Sequence, residues 1–147
     1  MKYIKLFENF NIKYYHGSYD DLYVGTILEP HDLSYTKQAD ISKLEFTVEK
    51  YRPFDKLSRY DSVFLTDNIE NLDNVGAPLD FIYEVIPEFV EKSDLAWYTE
   101  IEMVDDEEAQ KECALNYWNG VPFHNRNSSA WEYRTPRAII KELVEEN

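Results

Sequence analysis

The sequence predicts an α+β fold made of short, mostly antiparallel strands with two or three inserted helices. Short runs of β-branched and aromatic residues, bounded by Gly, Pro or Asp, recur along the chain and are typical of strands. Segments between them place apolar residues three or four positions apart, as amphipathic helices do. The chain lacks the regular strand–helix alternation of a doubly wound sheet, and it contains neither a GxGxxG motif nor a P-loop.

The strands begin with the runs KYYHGS and YVGTILEP. Residues 13–15 are predicted to form a strand that ends where Gly17 permits a turn, and a second short strand follows a turn at Gly25 and closes at Pro30. Further strands are predicted over residues 62–67, 80–88 and 95–104. The final segment, residues 131–146, fits either a helix or a terminal strand, because its apolar residues suit both periods.

Three helices are predicted between these strands. Residues 40–51 place apolar side chains on one helical face, with Asp40 as the cap. Asp67 and Glu70 form a variant of the capping box and begin a second, short helix. Residues 105–118 begin with four acidic side chains, which the helix dipole favours in a first turn.

Composition and length limit the possible functions. The chain has 147 residues and neither a repeat nor a linker, so residues 1–147 are predicted to form one domain. Its net charge of -14 argues against direct nucleic-acid binding, because phosphate contacts need clustered Lys and Arg. No apolar run predicts a membrane span. His16, His31, His124 and Cys113 lack the spacing of a metal site, and a single cysteine suits the reducing cytoplasm.

Four sequence blocks occur in an order that resembles a known enzyme family. They are YYHGSYDDLYVGTILEP, SVFLTD, FIYEVIPE and EYRTPRAII. In order and approximate spacing they resemble the ADP-ribosyltransferase fold, most of all the small rifamycin-modifying (Arr-like) NAD:ADP-ribosyltransferases, over about residues 13–140. The resemblance implies an enzyme that cleaves the bond between nicotinamide and ribose in NAD and transfers ADP-ribose to an acceptor.

The resemblance also implies which residues bind NAD. His16 would hold the hydroxyls of the nicotinamide ribose, and backbone groups of Gly17 and Ser18 would meet the nicotinamide carboxamide. Phe64 would stack on the nicotinamide ring. The family has a tyrosine at the position of Phe64, so the hydroxyl is missing here, and nearby tyrosines such as Tyr60 or Tyr83 are alternatives for it.

For the catalytic acid, the resemblance points to Asp94, which falls near the family's aspartate, with Glu100 as the second choice. Arg134 matches the family's arginine near the chain end and would meet the NAD pyrophosphate. A surface ion pair is the alternative for Arg134. Residues 34–57 and 107–124 exceed the family's usual length, and such inserts beside a cleft are expected to influence acceptor choice.

The sequence therefore predicts a mono-ADP-ribosyltransferase that consumes NAD and modifies an acceptor. The acidic surface and the two inserts favour a protein acceptor, and a rifamycin-like small molecule is the other possibility. An NAD glycohydrolase would share the site and use water instead. The alternative from a different class is a non-catalytic acidic protein that blocks a basic, nucleic-acid-binding partner, and Phe64 in place of tyrosine favours it.

Overall fold

A computed structural model describes residues 12–31 and 39–147, which form two antiparallel sheets and three α-helices. The strands are β1 (Tyr14–Ser18), β2 (Ile27–Leu28), β3 (Val63–Leu65), β4 (Phe81–Pro87), β5 (Glu91–Asp94), β6 (Trp131–Thr135) and β7 (Ala138–Glu146). The helices are α1 (Ala39–Lys50), α2 (Leu95–Glu100) and α3 (Glu107–Trp118). None of these described helices has the length and apolar character needed to cross a membrane.

The two sheets meet at β1 and β3. The larger sheet has the strand order β1-β4-β7-β2 and the smaller one β3-β6-β5, with every pairing antiparallel. An isolated bridge between Tyr15 and Thr66 joins β1 to the end of β3. β1 and β3 are edge strands of their sheets. Apart from this one bridge, their facing edges are not paired with each other.

Two clusters of buried side chains hold these layers together. The first fills the space between the sheets, and its buried members are Val63, Leu65, Tyr83, Val85, Ala138 and Ile140. The second joins the helices, and its buried members are Leu44, Val48, Ile101, Cys113, Ala114, Tyr117 and Trp118. Each cluster joins elements distant in sequence, so burial of this apolar surface fixes β3 against β4 and α1 against α3.

The strand predicted over residues 95–104 is wrong, because this segment begins with helix α2 and continues as a 3-10 turn. The side chain of Asp94 caps the helix and accepts a hydrogen bond from the Ala96 N–H (3.1 Å). Tyr98 and Ile101 lie three residues apart and pack on the cluster that joins the helices. The apolar residues therefore follow the helical period, and the β-propensity of the aromatic side chains gave the wrong assignment.

Two predicted helix starts are displaced, the first by two residues and the second by one. Helix α1 begins at Ala39, so Asp40 lies inside the first turn instead of capping it. After β3 the chain forms a short 3-10 helix, Ile69–Asn71, and its cap is Asn68 where the sequence predicted Asp67. Both Asn68 and Asp67 are residue types that cap helices, so the pattern alone does not choose between them.

The final segment forms β6 and β7, which settles its ambiguity in favour of strands. Strand β6 reverses the usual alternation: Glu132 and Arg134 are buried, whereas Trp131 and Tyr133 are half-buried. Since successive side chains of a strand point to opposite faces, the two charged residues share the face that meets α3.

Candidate functional site

A cavity of about 450 Å³ opens where the edges of the two sheets meet. We call it the junction cavity; its walls come from β1, β3, the 59–62 segment and the 72–78 turn, with Glu132 of β6. Its volume falls in the range of small-molecule sites, about 300 to 1,000 Å³. Four residues predicted from the sequence line this one cavity: His16, Gly17, Ser18 and Phe64.

The ring of His16 is fixed by a single hydrogen bond. Its Nδ1 lies 3.0 Å from the backbone carbonyl oxygen of Phe64. A carbonyl only accepts, so Nδ1 carries the proton and Nε2 of the neutral ring is an acceptor. Nε2 has no partner among the described residues. Burial lowers the pKa of His16, the bond to Phe64 opposes this, and the nearby His31 lowers the pKa further.

We expect His16 to titrate below its ordinary pKa of 6.5. Burial disfavours the charged imidazolium in the folded protein. As pH falls below about 6.5, the unfolded chain therefore binds a proton at His16 more readily than the folded protein does, and the free energy of unfolding decreases. The measurement is an NMR titration of the imidazole C–H signals, assigned with His16→Gln and His31→Ala. A His16 pKa above 6.5 would contradict the buried environment.

Gly17 presents its backbone to the junction cavity. The N–H and C=O of Tyr15 both bond to Thr66, on the side of β1 that faces away from β4. Peptide groups two residues apart point the same way in a strand, so those of Gly17 lie on the same open edge. A Cβ at Gly17 would lie 1.9 Å from the Pro78 carbonyl oxygen, so only glycine fits between β1 and the 72–78 turn.

The ring of Phe64 has one occupied face. The guanidinium of Arg59 lies 4.5 Å from the Phe64 ring centroid, which is the distance of a cation–π contact. Phe64 is half-buried and lines the junction cavity, so its remaining surface is available to a ligand there. The hydroxyl of Tyr83 offers no replacement for the missing tyrosine oxygen, because it already contacts the backbone of Asp20 and Leu22.

A network of five side chains, four of them buried and one half-buried, includes an acidic residue of the cavity lining. We call it the carboxylate network; its members are Glu45, Arg59, Tyr98, Tyr117 and Glu132. Arg59 Nη1 donates to both oxygens of Glu132 (2.6 and 3.0 Å), and Arg59 Nε donates to both oxygens of Glu45 (3.1 and 2.9 Å). The Tyr98 hydroxyl donates to Glu45 (2.9 Å), and the Tyr117 hydroxyl lies 3.4 Å from Glu132.

The charges of the carboxylate network do not cancel. Burial would lower the pKa of Arg59, but attraction from Glu132, Tyr117 and Glu45 raises it well above its ordinary value. The guanidinium therefore stays charged and faces two carboxylates. Arg59 and Glu132 line the junction cavity and Glu45 lies behind them, so the three groups together place one excess negative charge beside this wall.

Asp94 does not line the junction cavity. Its carboxylate is completely buried and accepts hydrogen bonds from four groups: the N–H of Ala96, Phe123 and Ala130, and the Ser129 hydroxyl. Burial alone would raise the pKa of Asp94, but the donors outweigh it and the pKa is lowered. This arrangement ties the 123–130 loop to the start of α2. Glu100, the second choice for the acid, ends α2 and is also outside the cavity lining.

Arg134 also lies outside the cavity lining, and it is neither at the surface nor in a surface ion pair. Its side chain is fully buried, with Nη1 donating to the Ser93 hydroxyl (2.7 Å) and the guanidinium 4.7 Å from the Trp118 ring centroid. Nη2 lies 3.7 Å from Glu91, and neither Nε nor Nη2 has a hydrogen-bond partner among the described residues. The Arg134 guanidinium is thus held by Ser93 and Trp118, and its contact with the NAD pyrophosphate stays a prediction.

No protein-family model matches the chain, and a search of the curated proteins finds no match. The site is accordingly interpreted from its own geometry. Within residues 12–31 and 39–147, no group of three or more His, Cys, Asp and Glu side chains is placed to hold a metal ion.

Sequence reasoning missed Glu132 and Arg59. One signal was available in the run WEYRT, where the charged residues occupy one face of a strand and the aromatic residues the other. Charged residues at buried strand positions need partners, so such a run predicts buried counterions elsewhere in the chain. The partner itself is not predictable from spacing, since Arg59 and Glu132 are 73 residues apart.

Proposed function

We propose that the chain is a mono-ADP-ribosyltransferase that uses NAD as its substrate. The observation that carries the proposal is the convergence of His16, Gly17, Ser18 and Phe64 on one cavity whose lining also includes Glu132, an acidic residue held by Arg59. The two antiparallel sheets with inserted helices are compatible with a fold like that of the ADP-ribosyltransferases.

The residues present fit the nicotinamide riboside half of NAD. Neutral His16 offers Nε2 as an acceptor for a ribose hydroxyl. The carboxamide needs one acceptor and one donor, and the peptide groups of Gly17 on the open edge of β1 provide both. The uncovered surface of Phe64 suits stacking with the nicotinamide ring.

The chemistry is the cleavage of a glycosidic bond. The C–N bond between ribose and nicotinamide breaks, its electron pair leaves with neutral nicotinamide, and positive charge develops on the ribose. A carboxylate at the cavity wall stabilises that charge, and we assign this role to Glu132 in preference to Asp94. The acceptor then forms a bond to the same ribose carbon and loses its proton.

A protein is the acceptor class that the surface favours. Phe54 is 98% exposed and Phe46 is 68% exposed, and both lie in the insert that precedes the cavity wall. The loop that carries Phe54 is held by hydrogen bonds from Arg52 to the Lys56 carbonyl (2.7 Å) and from the Leu57 N–H to Glu91 (2.6 Å). Exposed aromatic residues on an ordered loop are typical of protein contacts, and the net charge of -14 favours a basic partner.

Two observations favour the second candidate, a non-catalytic acidic binder. Phe64 lacks the hydroxyl that the resemblance leads one to expect at this position. Among the described residues that line the cavity, Arg59 is the only Lys or Arg, and it is already paired with two carboxylates, which leaves the NAD pyrophosphate without an obvious cation. Such a binder would act through its acidic surface alone.

The deciding experiment is NAD turnover by the purified protein, with and without cell extract. We expect nicotinamide release that requires extract and labels a discrete protein band, and a loss of about a hundredfold in His16→Ala, because one ligand to the reacting ribose is removed. His124→Ala is the matched control, since His124 stacks on Phe123 outside the cavity. Release without extract indicates a glycohydrolase. If the protein neither binds NAD nor releases nicotinamide, the proposed enzyme is overturned and the acidic binder remains.

A further inference from the structure

Glu45 contacts the candidate site only through another residue. It lies on α1, is 3% exposed and does not line the junction cavity. Both of its oxygens accept from Nε of Arg59, and one of them also accepts from the Tyr98 hydroxyl. The same guanidinium binds both oxygens of Glu132 through Nη1. Glu45 and Glu132 are thus held by two different nitrogens of one planar group.

We propose that Glu45 is a positioning residue. It fixes Arg59, which in turn holds Glu132 in one orientation at the cavity wall. Its own charge also prevents Arg59 from fully neutralising the charge of Glu132. The proposal rests on the proposed function, because it concerns the acid of that reaction. It extends that function by giving helix α1, which lies in the insert before the cavity, a part in the chemistry.

The first part of this role is geometric. A guanidinium is rigid and planar, so fixing Nε also fixes the direction of Nη1. The rings of Phe64 and Tyr98 contact the same guanidinium, with centroids 4.5 and 4.8 Å from its carbon. Hydrogen bonds therefore fix the Arg59 guanidinium within its plane, and the two rings fix it from its faces. The position of the Glu132 carboxylate, which the guanidinium binds, is fixed as a result.

The second part is electrostatic. With Glu45 ionised, one guanidinium is shared by two carboxylates and the group carries an excess of one negative charge. Without the charge of Glu45, Arg59 and Glu132 form a neutral buried pair. A neutral pair stabilises positive charge on the ribose less well than an anionic group does, and the weak screening of a buried site makes the difference larger.

The test compares kcat and KM for NAD in two variants of Glu45, measured as nicotinamide release under the conditions in which the wild-type protein is active. Glu45→Gln keeps the shape and the acceptor oxygen but removes the charge, whereas Glu45→Asp keeps the charge but shortens the side chain. We expect Glu45→Gln to lower kcat about tenfold with KM within about twofold, since only transition-state stabilisation is lost. Glu45→Asp should retain more of kcat than Glu45→Gln.

A purely structural role gives the opposite ranking, because the isosteric glutamine preserves packing better than the shorter aspartate. Glu49→Gln is the matched control: Glu49 lies one turn later on α1 and accepts from the Ser58 hydroxyl, the Arg59 N–H and Arg52 Nε, but not from the Arg59 guanidinium. Thermal melting and the stoichiometry of NAD binding correct for any unfolded fraction.

The outcomes separate this inference from the function on which it rests. An active wild-type protein whose Glu45→Gln variant keeps kcat, or whose Glu45→Asp variant is the worse of the two, would overturn the positioning role and leave the transferase standing. A wild-type protein that releases no nicotinamide in any condition would overturn the proposed function, and the role of Glu45 with it.

Discussion

Glu132→Gln is expected to reduce kcat for nicotinamide release from NAD by about a hundredfold to a thousandfold, with a much smaller change in KM. Glutamine keeps the shape of the side chain and an acceptor for Arg59, but it removes the negative charge at the wall of the junction cavity. The charge matters most when the ribose becomes cationic, so the loss falls on the transition state. Steady-state kinetics with varied NAD measure both constants.

This substitution also disturbs a buried ion pair, so its effect on folding must be measured separately. Removing the charge from one of the two carboxylates that Arg59 binds is expected to cost about 3 kcal/mol of stability, and the assay temperature should lie well below the melting point of the variant. Glu132→Asp retains the charge and should keep more activity than Glu132→Gln. The matched control is Glu91→Gln, because Glu91 contacts Arg134 and the Leu57 N–H outside the cavity. A Glu132→Gln variant within threefold of the wild-type kcat would show that Glu132 is not the acid.

Asp94→Ala is expected to lower the free energy of unfolding by about 3 kcal/mol or more while leaving the turnover of the folded fraction unchanged. The substitution removes four hydrogen bonds to a buried carboxylate, and it leaves the N–H groups of Ala96, Phe123 and Ala130 without their acceptor. Urea unfolding followed by tryptophan fluorescence measures the loss.

The control for this prediction is Asp106→Ala. Asp106 also caps a helix, but it accepts one hydrogen bond, from the Glu108 N–H at 3.4 Å, in an exposed position. Its loss should cost only about 1 kcal/mol. A well-folded Asp94→Ala protein that no longer turns over NAD would restore Asp94 as the acid, as the resemblance to the rifamycin-modifying enzymes implies.

The carboxylate of Asp94 also makes the stability of the fold depend on pH. The donors around Asp94 lower its pKa in the folded protein, so its contribution to stability is complete above the unfolded value of about 3.9. That contribution is lost as pH falls through the lower, folded pKa. The difference in unfolding free energy between the wild-type protein and Asp94→Ala should therefore shrink progressively as pH falls below about 4.

The sequence was sufficient where the signal is local. The turn at Gly25 and the strand FIYEVIP depend on residue types within a few positions, and β4 and the turn appear where they were predicted. His16 and Phe64 could be brought together because each lies in a recognisable block, and the hydrogen bond between the His16 ring and the Phe64 carbonyl joins them directly.

The sequence was insufficient where a side chain depends on a distant partner. Asp94 and Arg134 are residue types common in active sites. In the structure, Asp94 accepts hydrogen bonds from the 123–130 loop, and the guanidinium of Arg134 packs on the Trp118 ring. Glu132 is prominent only once Arg59 is known to lie against it. A pattern of single residues carries no information about such pairings, because the contacts that create them join residues far apart in the sequence.

The carboxylate network has a consequence for the order in which the protein becomes active during its synthesis. Its five members lie at positions 45, 59, 98, 117 and 132, and β6, which carries Glu132, pairs with both β3 and β5. A nascent chain that has not yet reached Glu132 already contains His16 and Phe64, but it lacks the carboxylate that Arg59 binds beside them. Under the proposed function, translation products that end before Glu132 would therefore not turn over NAD.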